Sequence, residues 1–136
     1  MVVKHLRDCK EFVAGDGTRL REVLHPERDP AEIGYSLAIA RLGPGEASAP
    51  HRLRQGETHY VIRGTGRMHV GDQSVEVGAG DAVYVPAGAV QMLENPGADA
   101  IEFACIVEPA WRTEDEEILA GRSAAEKHQA RSANRA

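Results

Sequence analysis

A chain of 136 residues has room for one domain, and 42% hydrophobic residues is enough to build a core and not stay disordered. A formal net charge of −5 argues against the basic face that nucleic-acid binding uses. No apolar run approaches the ~18 residues that cross a bilayer, and the opening residues lack the apolar stretch of a secretory signal. A cytoplasmic protein with no nucleic-acid or membrane partner is therefore expected.

From about residue 10 to 108 the chain reads as short strands between turn residues, the pattern of an all-β barrel or sandwich. Predicted strands run over 19–24, 34–42, 47–53, 57–63 and 67–70, then 74–77, 82–85, 90–94 and 100–107. The punctuation is Gly43-Pro44-Gly45, Gly64-Thr65-Gly66, Gly71-Asp72, Gly78-Ala79-Gly80 and Asn95-Pro96-Gly97. Glycine supplies positive φ and proline ends a hydrogen-bonding run. The Gly64-Thr65-Gly66 triplet reads as a hairpin turn, and no helix follows it to make a phosphate site. Aromatic residues are only 4%, so Val, Ile, Leu and Ala must fill the core.

After Pro109-Ala110-Trp111 the character changes. Thr113 stands where an N-cap would, with Glu116 three positions on, which predicts a short helix to about residue 120. From Gly121 the chain has almost no large apolar residue, and its last ten or so residues are expected to be disordered. The domain is therefore drawn as 1–112, followed by 113–136 as helix and tail. The two cysteines, Cys9 and Cys105, are in no CxxC spacing and read as free thiols, Cys105 as a small buried hydrophobe.

Two stretches carry a more specific signal. The first is Gly45, five residues, His51, then Leu53, Glu57 and Gly64. The second is Gly80, five residues, Pro86-Ala87-Gly88, two residues, Gln91, three residues, Asn95. Their order and spacing resemble the paired motifs of the cupin superfamily, with Leu53 in place of the second histidine and Gln91 in place of the last. The resemblance spans about residues 35–108 and implies a double-stranded β-helix, or jelly-roll barrel, of six to eight strands. It also implies a homodimer, to which the apolar segment Phe12-Val13-Ala14 could contribute.

Metal-binding cupins use both histidines and the glutamate of the first motif plus the histidine of the second, so the carry-over supports His51 and Glu57 directly. Alternation along a strand places His59 on the same face as Glu57. The candidate metal ligands are then His51, Glu57, His59 and Gln91. Two imidazoles and a carboxylate suit a divalent ion such as Fe, Mn, Ni, Cu or Zn. Gln91 and Tyr60 are candidate contacts to a small-molecule substrate. Oxygenase, isomerase and decarboxylase activities all occur in this superfamily, and fold does not choose among them. The alternative is a metal-free pocket that binds or senses a small molecule, which the Leu53 and Gln91 departures favour.

Other residues read as structural. His25 is expected in a surface turn, His69 on the face opposite Met68 and Val70 and outward, His5 and His128 in solvated terminal segments. Arg52, Arg54, Arg63 and Arg67 read as solvated charges, with recognition of an anion at the barrel mouth or pairing of an arginine with Glu57 as alternatives.

Overall fold

The structure, a computed structural model, describes residues 1–119. In chain order the strands are β1 (Glu11–Val13), β2 (Arg19–Leu24), β3 (Ser36–Leu42), β4 (His51–Leu53), β5 (Gly56–Arg63) and β6 (Thr65–Val70). They continue with β7 (Gln73–Gly78), β8 (Ala82–Val85), β9 (Gln91–Glu94), β10 (Ile101–Glu108) and β11 (Glu116–Ile118). A six-stranded sheet has the order β1-β2-β3-β10-β5-β8 and a five-stranded sheet the order β11-β4-β9-β6-β7. The fold is the all-β barrel, built with more strands than expected because the short β1 and β11 extend the sheet edges. No helix among the described residues is long and apolar enough to cross a membrane.

The core lies between the sheets. Alternation is clean on β10, where Ile101, Phe103, Cys105 and Val107 are buried and Ile106 and Glu108 are exposed. These inward residues join Ala40, Leu42, Val61 and Val85 from the same sheet and Met68, Val77 and Leu93 from the other. On β5 the inward set is Glu57, His59 and Val61, so a strand that packs into the core at one end carries polar groups into it at the other.

Three motif residues explain why turn chemistry is so legible here. Asn95 is buried, and its amide nitrogen donates to the carbonyls of Leu42 (3.1 Å), Gly43 (3.0 Å) and Asp99 (2.8 Å), while its Oδ1 accepts from Gly97 N–H at 3.0 Å. Gly88 donates its N–H to the Leu53 carbonyl at 2.8 Å, which ties the β8–β9 turn to β4. Gly64 has φ +83°, and a Cβ there would stand 2.8 Å from the Ile101 Cα. The triplet around it is no hairpin: β5 and β6 belong to different sheets, and Gly64 is the corner where the chain crosses between them. The true tight hairpin is Gly71-Asp72, joining β6 to β7 with Val70 opposite Gln73.

The strand expected over 47–53 is split. Ala47 makes an isolated bridge to Glu94, and regular pairing begins only at His51, after Pro50, which has no N–H to give a ladder. The helix expected from Thr113 does not form. Thr113–Asp115 is a single 3-10 turn whose N-cap position is Arg112, with no side-chain cap. Asp115 is buried and accepts from Arg112 Nε at 3.0 Å and from Gln55, which ends the turn, and the open edge of β4 then takes residues 116–118 as β11. The folded unit therefore continues past residue 112. The polar tail expected from Gly121, with His128, lies outside the described residues.

Candidate metal and ligand pocket

The interior of the barrel holds a cavity of about 170 Å³ whose lining includes all four predicted metal ligands, His51, Glu57, His59 and Gln91. Each arrives there for a local reason. Glu57 and His59 are two apart on β5, so one pleat face carries both. His51 on β4 stands directly opposite Gln91 on β9. Tyr60, the other predicted substrate contact, follows His59 on the opposite face of β5; it is 46% exposed and is not brought to the cavity.

At the centre, the Gln91 side-chain amide bridges two groups. Its Nε2 donates to Glu57 Oε1 at 2.7 Å, and His59 Nε2 donates to its Oε1 at 2.7 Å. The direct His59 Nε2 to Glu57 Oε1 distance is 3.4 Å. Burial works against both charges, yet the pair holds them: the carboxylate of Glu57 pushes the His59 ring well above its ordinary pKa, and the imidazolium keeps the Glu57 carboxyl below its own. On its far edge the ring meets Cys105, with Nδ1 3.6 Å from Sγ, and its plane stands edge-on to Phe103 at 5.5 Å between centroids. Cys105 is buried as expected, and burial pushes its thiol up to about 11.

Donor atoms of Glu57, His59 and Cys105 all lie within 4.8 Å of one another, which makes these three a candidate metal-holding group among the described residues. The imidazole divides that group, since Glu57 and Gln91 face Nε2 while Cys105 faces Nδ1. His51 lines the same cavity but stands outside that group. Its Nδ1–H donates to the Ala49 carbonyl at 2.8 Å, which turns Nε2 toward Asp16 Oδ2, 3.5 Å away.

Three pocket residues carry no motif signature. Asp16 sits at the tip of the β1–β2 turn, where its Oδ1 accepts from Thr18 N–H (3.0 Å) and Thr18 Oγ1 (2.7 Å) and leaves Oδ2 for His51. Trp111 lines the cavity with its N–H on Ser36 Oγ at 2.9 Å and its indole Nε1–H on Glu116 Oε2 at 3.0 Å. Glu116 enters from β11, and burial followed by repulsion from Asp16 raises its carboxyl. The Gly15-Asp16-Gly17 turn was the one local signal available for Asp16. For Glu116 the sequence pattern points to a helix start instead.

The family model described as Cupin domain matches residues 38–107. The chain belongs to the cupin family. This cupin is 32% identical over 111 residues to the uncharacterized protein MJ1618 of Methanocaldococcus jannaschii, an alignment covering 81% of this chain and 88% of that protein. It is 26% identical over 125 residues to the mannose-1-phosphate guanylyltransferase ManC of Salmonella typhimurium, covering 85% of this chain but only 26% of ManC. Among solved structures it superposes on the polyketide cyclase RemF of Streptomyces resistomycificus with TM-score 0.77, at 18% identity, covering 96% of this cupin and 93% of RemF. That last likeness is one of fold.

Burial corrects the expectations for His25 and His69. His25 is 1% exposed: its Nδ1 accepts from Glu27 N–H at 3.1 Å and its Nε2 donates to the Trp111 carbonyl at 2.7 Å. His69 does face away from Met68, but it is buried, with Ser74 Oγ 2.7 Å from Nδ1 and Glu94 Oε1 3.2 Å from Nε2. The arginines around the first motif stay outside the cavity. Arg52 pairs with Glu117 at 2.8 Å, Arg63 with Glu102 at 3.4 Å and Arg67 with Glu76 at 3.8 Å, so Glu57 has an imidazole and an amide for partners and no guanidinium.

Proposed function

We propose that this cupin holds a divalent metal ion in the barrel pocket and binds or acts on a small metabolite beside it. The observation that supports this is the spacing of three donor groups. Glu57 Oε1 and His59 Nε2 stand 3.4 Å apart, and the Gln91 amide oxygen stands 2.7 Å from His59 Nε2, with its nitrogen on Glu57 Oε1 at 2.7 Å. Neighbouring ligands around an octahedral ion with bonds of about 2.1 Å stand about 3 Å apart. These residues would hold the ion, and His51 would offer Nε2 from the facing strand. The ion would supply Lewis-acid character to a bound carbonyl or water. His59 must surrender its Nε2 proton to ligate, so uptake competes with protons. Cys105 and Phe103 fix the ring from behind.

Elemental analysis of tag-free protein prepared without chelator tests the reading. About one equivalent of Fe, Mn, Ni, Cu or Zn per chain is expected, falling in the His51→Ala and His59→Ala variants. No metal as purified, and none after reconstitution, would overturn it. One observation favours a second reading, a metal-free binding or sensing pocket: the Gln91 amide already satisfies Glu57 and His59 by hydrogen bonds. Soluble small-molecule binding by chelated protein separates the two. A homodimer is proposed on the resemblance alone, with light scattering as its check.

A further inference from the structure

The sign of the charge inside the cavity carries the argument further. Among the described residues four carboxylates line it, Asp16, Glu22, Glu57 and Glu116, and no lysine or arginine does. Glu22 is answered from outside by Arg28, whose Nη2 donates to its Oε2 at 2.7 Å. Glu57 is answered by His59. Asp16 and Glu116 are left with neutral donors, the Thr18 hydroxyl and the Trp111 indole, and with the His51 ring at 3.5 Å from Asp16. A divalent ion held by Glu57 would still leave this end of the cavity negative.

Resting on the reading of the barrel interior as a ligand pocket, we propose that its ligand is a small organic cation, an alkylammonium or amidinium. Its charge is taken by Asp16 and Glu116 beside the Trp111 indole. Carboxylates accept N–H donors from such a cation, and an indole adds cation–π attraction. A carboxylate ligand would meet two like charges, with no guanidinium or ammonium among the described lining residues to offset them. The cavity, at about 170 Å³, lies below the ~300 Å³ where drug-sized pockets begin, so the ligand is a compact metabolite. Asp16 sets this specificity from a turn and Glu116 from the last described strand, at some distance in sequence from both cupin motifs.

Trp111 is the only tryptophan, and its place in the wall makes its fluorescence a reporter of occupancy. The probes are n-butylamine, protonated at neutral pH as the lysine amine is, with butan-1-ol and butyrate as near-isosteres of other charge. They are titrated into wild-type protein, both chelated and metal-loaded, at one ionic strength. Saturable binding of butylamine at least about tenfold tighter than either isostere is expected. Asp16→Asn and Glu116→Gln are each expected to weaken the amine about tenfold or more, with unchanged far-ultraviolet circular dichroism as the folding control. Butyrate or butan-1-ol binding as tightly as butylamine would overturn the proposal, as would variants that fold and bind the amine unchanged. The isostere series on the wild-type protein decides the matter even where a variant fails to fold. Metal content measured in parallel keeps the two readings apart: amine selectivity in a protein without metal leaves this inference standing and removes the ion, and metal without amine selectivity does the reverse.

Discussion

His25 holds Trp111 by the main chain: its Nε2–H donates to the Trp111 carbonyl at 2.7 Å, while Ser36 Oγ takes the Trp111 N–H at 2.9 Å. Because Glu27 N–H occupies Nδ1, only one neutral tautomer of His25 serves both bonds. The residue that shapes the cavity wall is thus fixed by one that never touches the cavity. His25→Ala should cost about 2–4 kcal/mol, since it opens a void at a buried position and leaves the part-buried Trp111 carbonyl without its donor. Urea unfolding measures the loss, and a red-shifted Trp111 emission in the folded variant shows that the wall has moved.

Gln91 is one of the two points, with Leu53, where the chain departs from the motif's histidines, and it is testable in both directions. Gln91→His restores the motif's histidine and should tighten metal binding at least about tenfold, read by calorimetric titration with zinc or manganese. Gln91→Leu should lose about 1–3 kcal/mol of stability, because Glu57 and His59 then lack the amide that bridges them. A Gln91→His protein that binds metal no better than wild type would show that Gln91 does not occupy a ligand position.

Glu116 should be a stability cost at neutral pH. Its carboxyl is raised by burial and by Asp16, against smaller help from His51 and the Trp111 indole, with Glu57 adding repulsion. A folded-state value above the unfolded one means that stability is greater while the group is protonated and falls as pH rises through the ordinary carboxylate range. Glu116→Gln keeps an oxygen for the indole N–H and removes the charge. The variant should melt at a higher temperature than wild type at pH 7, and the difference should shrink as pH is lowered through the carboxylate range. Scanning calorimetry at several pH values checks both the sign and the window.

Asp115 should behave in the opposite sense. The Arg112 guanidinium lowers its carboxyl, so its contribution is present at neutral pH and is lost as pH falls through the depressed value. Asp115→Asn should therefore destabilise at pH 7, and the gap to wild type should narrow in acid. Since Asp115 closes the turn before β11, protection of the β11 amides from hydrogen exchange should fall in the same variant.

Both thiols should be silent until the barrel opens. Cys9 and Cys105 are buried, and Cys105 is held as the thiol by a pKa pushed up to about 11. Ellman's reagent at pH 8 should find neither cysteine in the folded protein at early times and both in denaturant.

Strands and turns could be read from the chain because their determinants are local. Short runs between turn residues, such as 19–24 and 82–85, and the glycines at 64, 71 and 88 act over a few residues. The pairing of Glu57 with His59 was legible for the same reason, as a period of two along one strand. Burial of His25 and His69 was not, because what covers them is distant in sequence or lies across a sheet. The helix expected at Thr113 failed for a related reason. Thr113 makes no cap there, since Arg112 holds the N-cap position, and the free edge of β4 offered residues 116–118 a ladder that an isolated turn of helix could not match. Asp16, Trp111 and Glu116 entered the pocket through that same tertiary closure.

β10 lies between β3 and β5, so it joins two parts of the larger sheet that share no pairing of their own. A chain emerging from the ribosome can form β1 to β3 as a meander and fold β5 back on β8, but neither piece has its inner neighbour until residues 101–108 are out. The barrel should therefore fold late and all at once, at the slow end of the range for its size, because its stabilising contacts are the ones most distant in sequence. Until then the unpaired edges of β3 and β5 are exposed, which makes β10 the strand whose damage would show first as aggregation during synthesis.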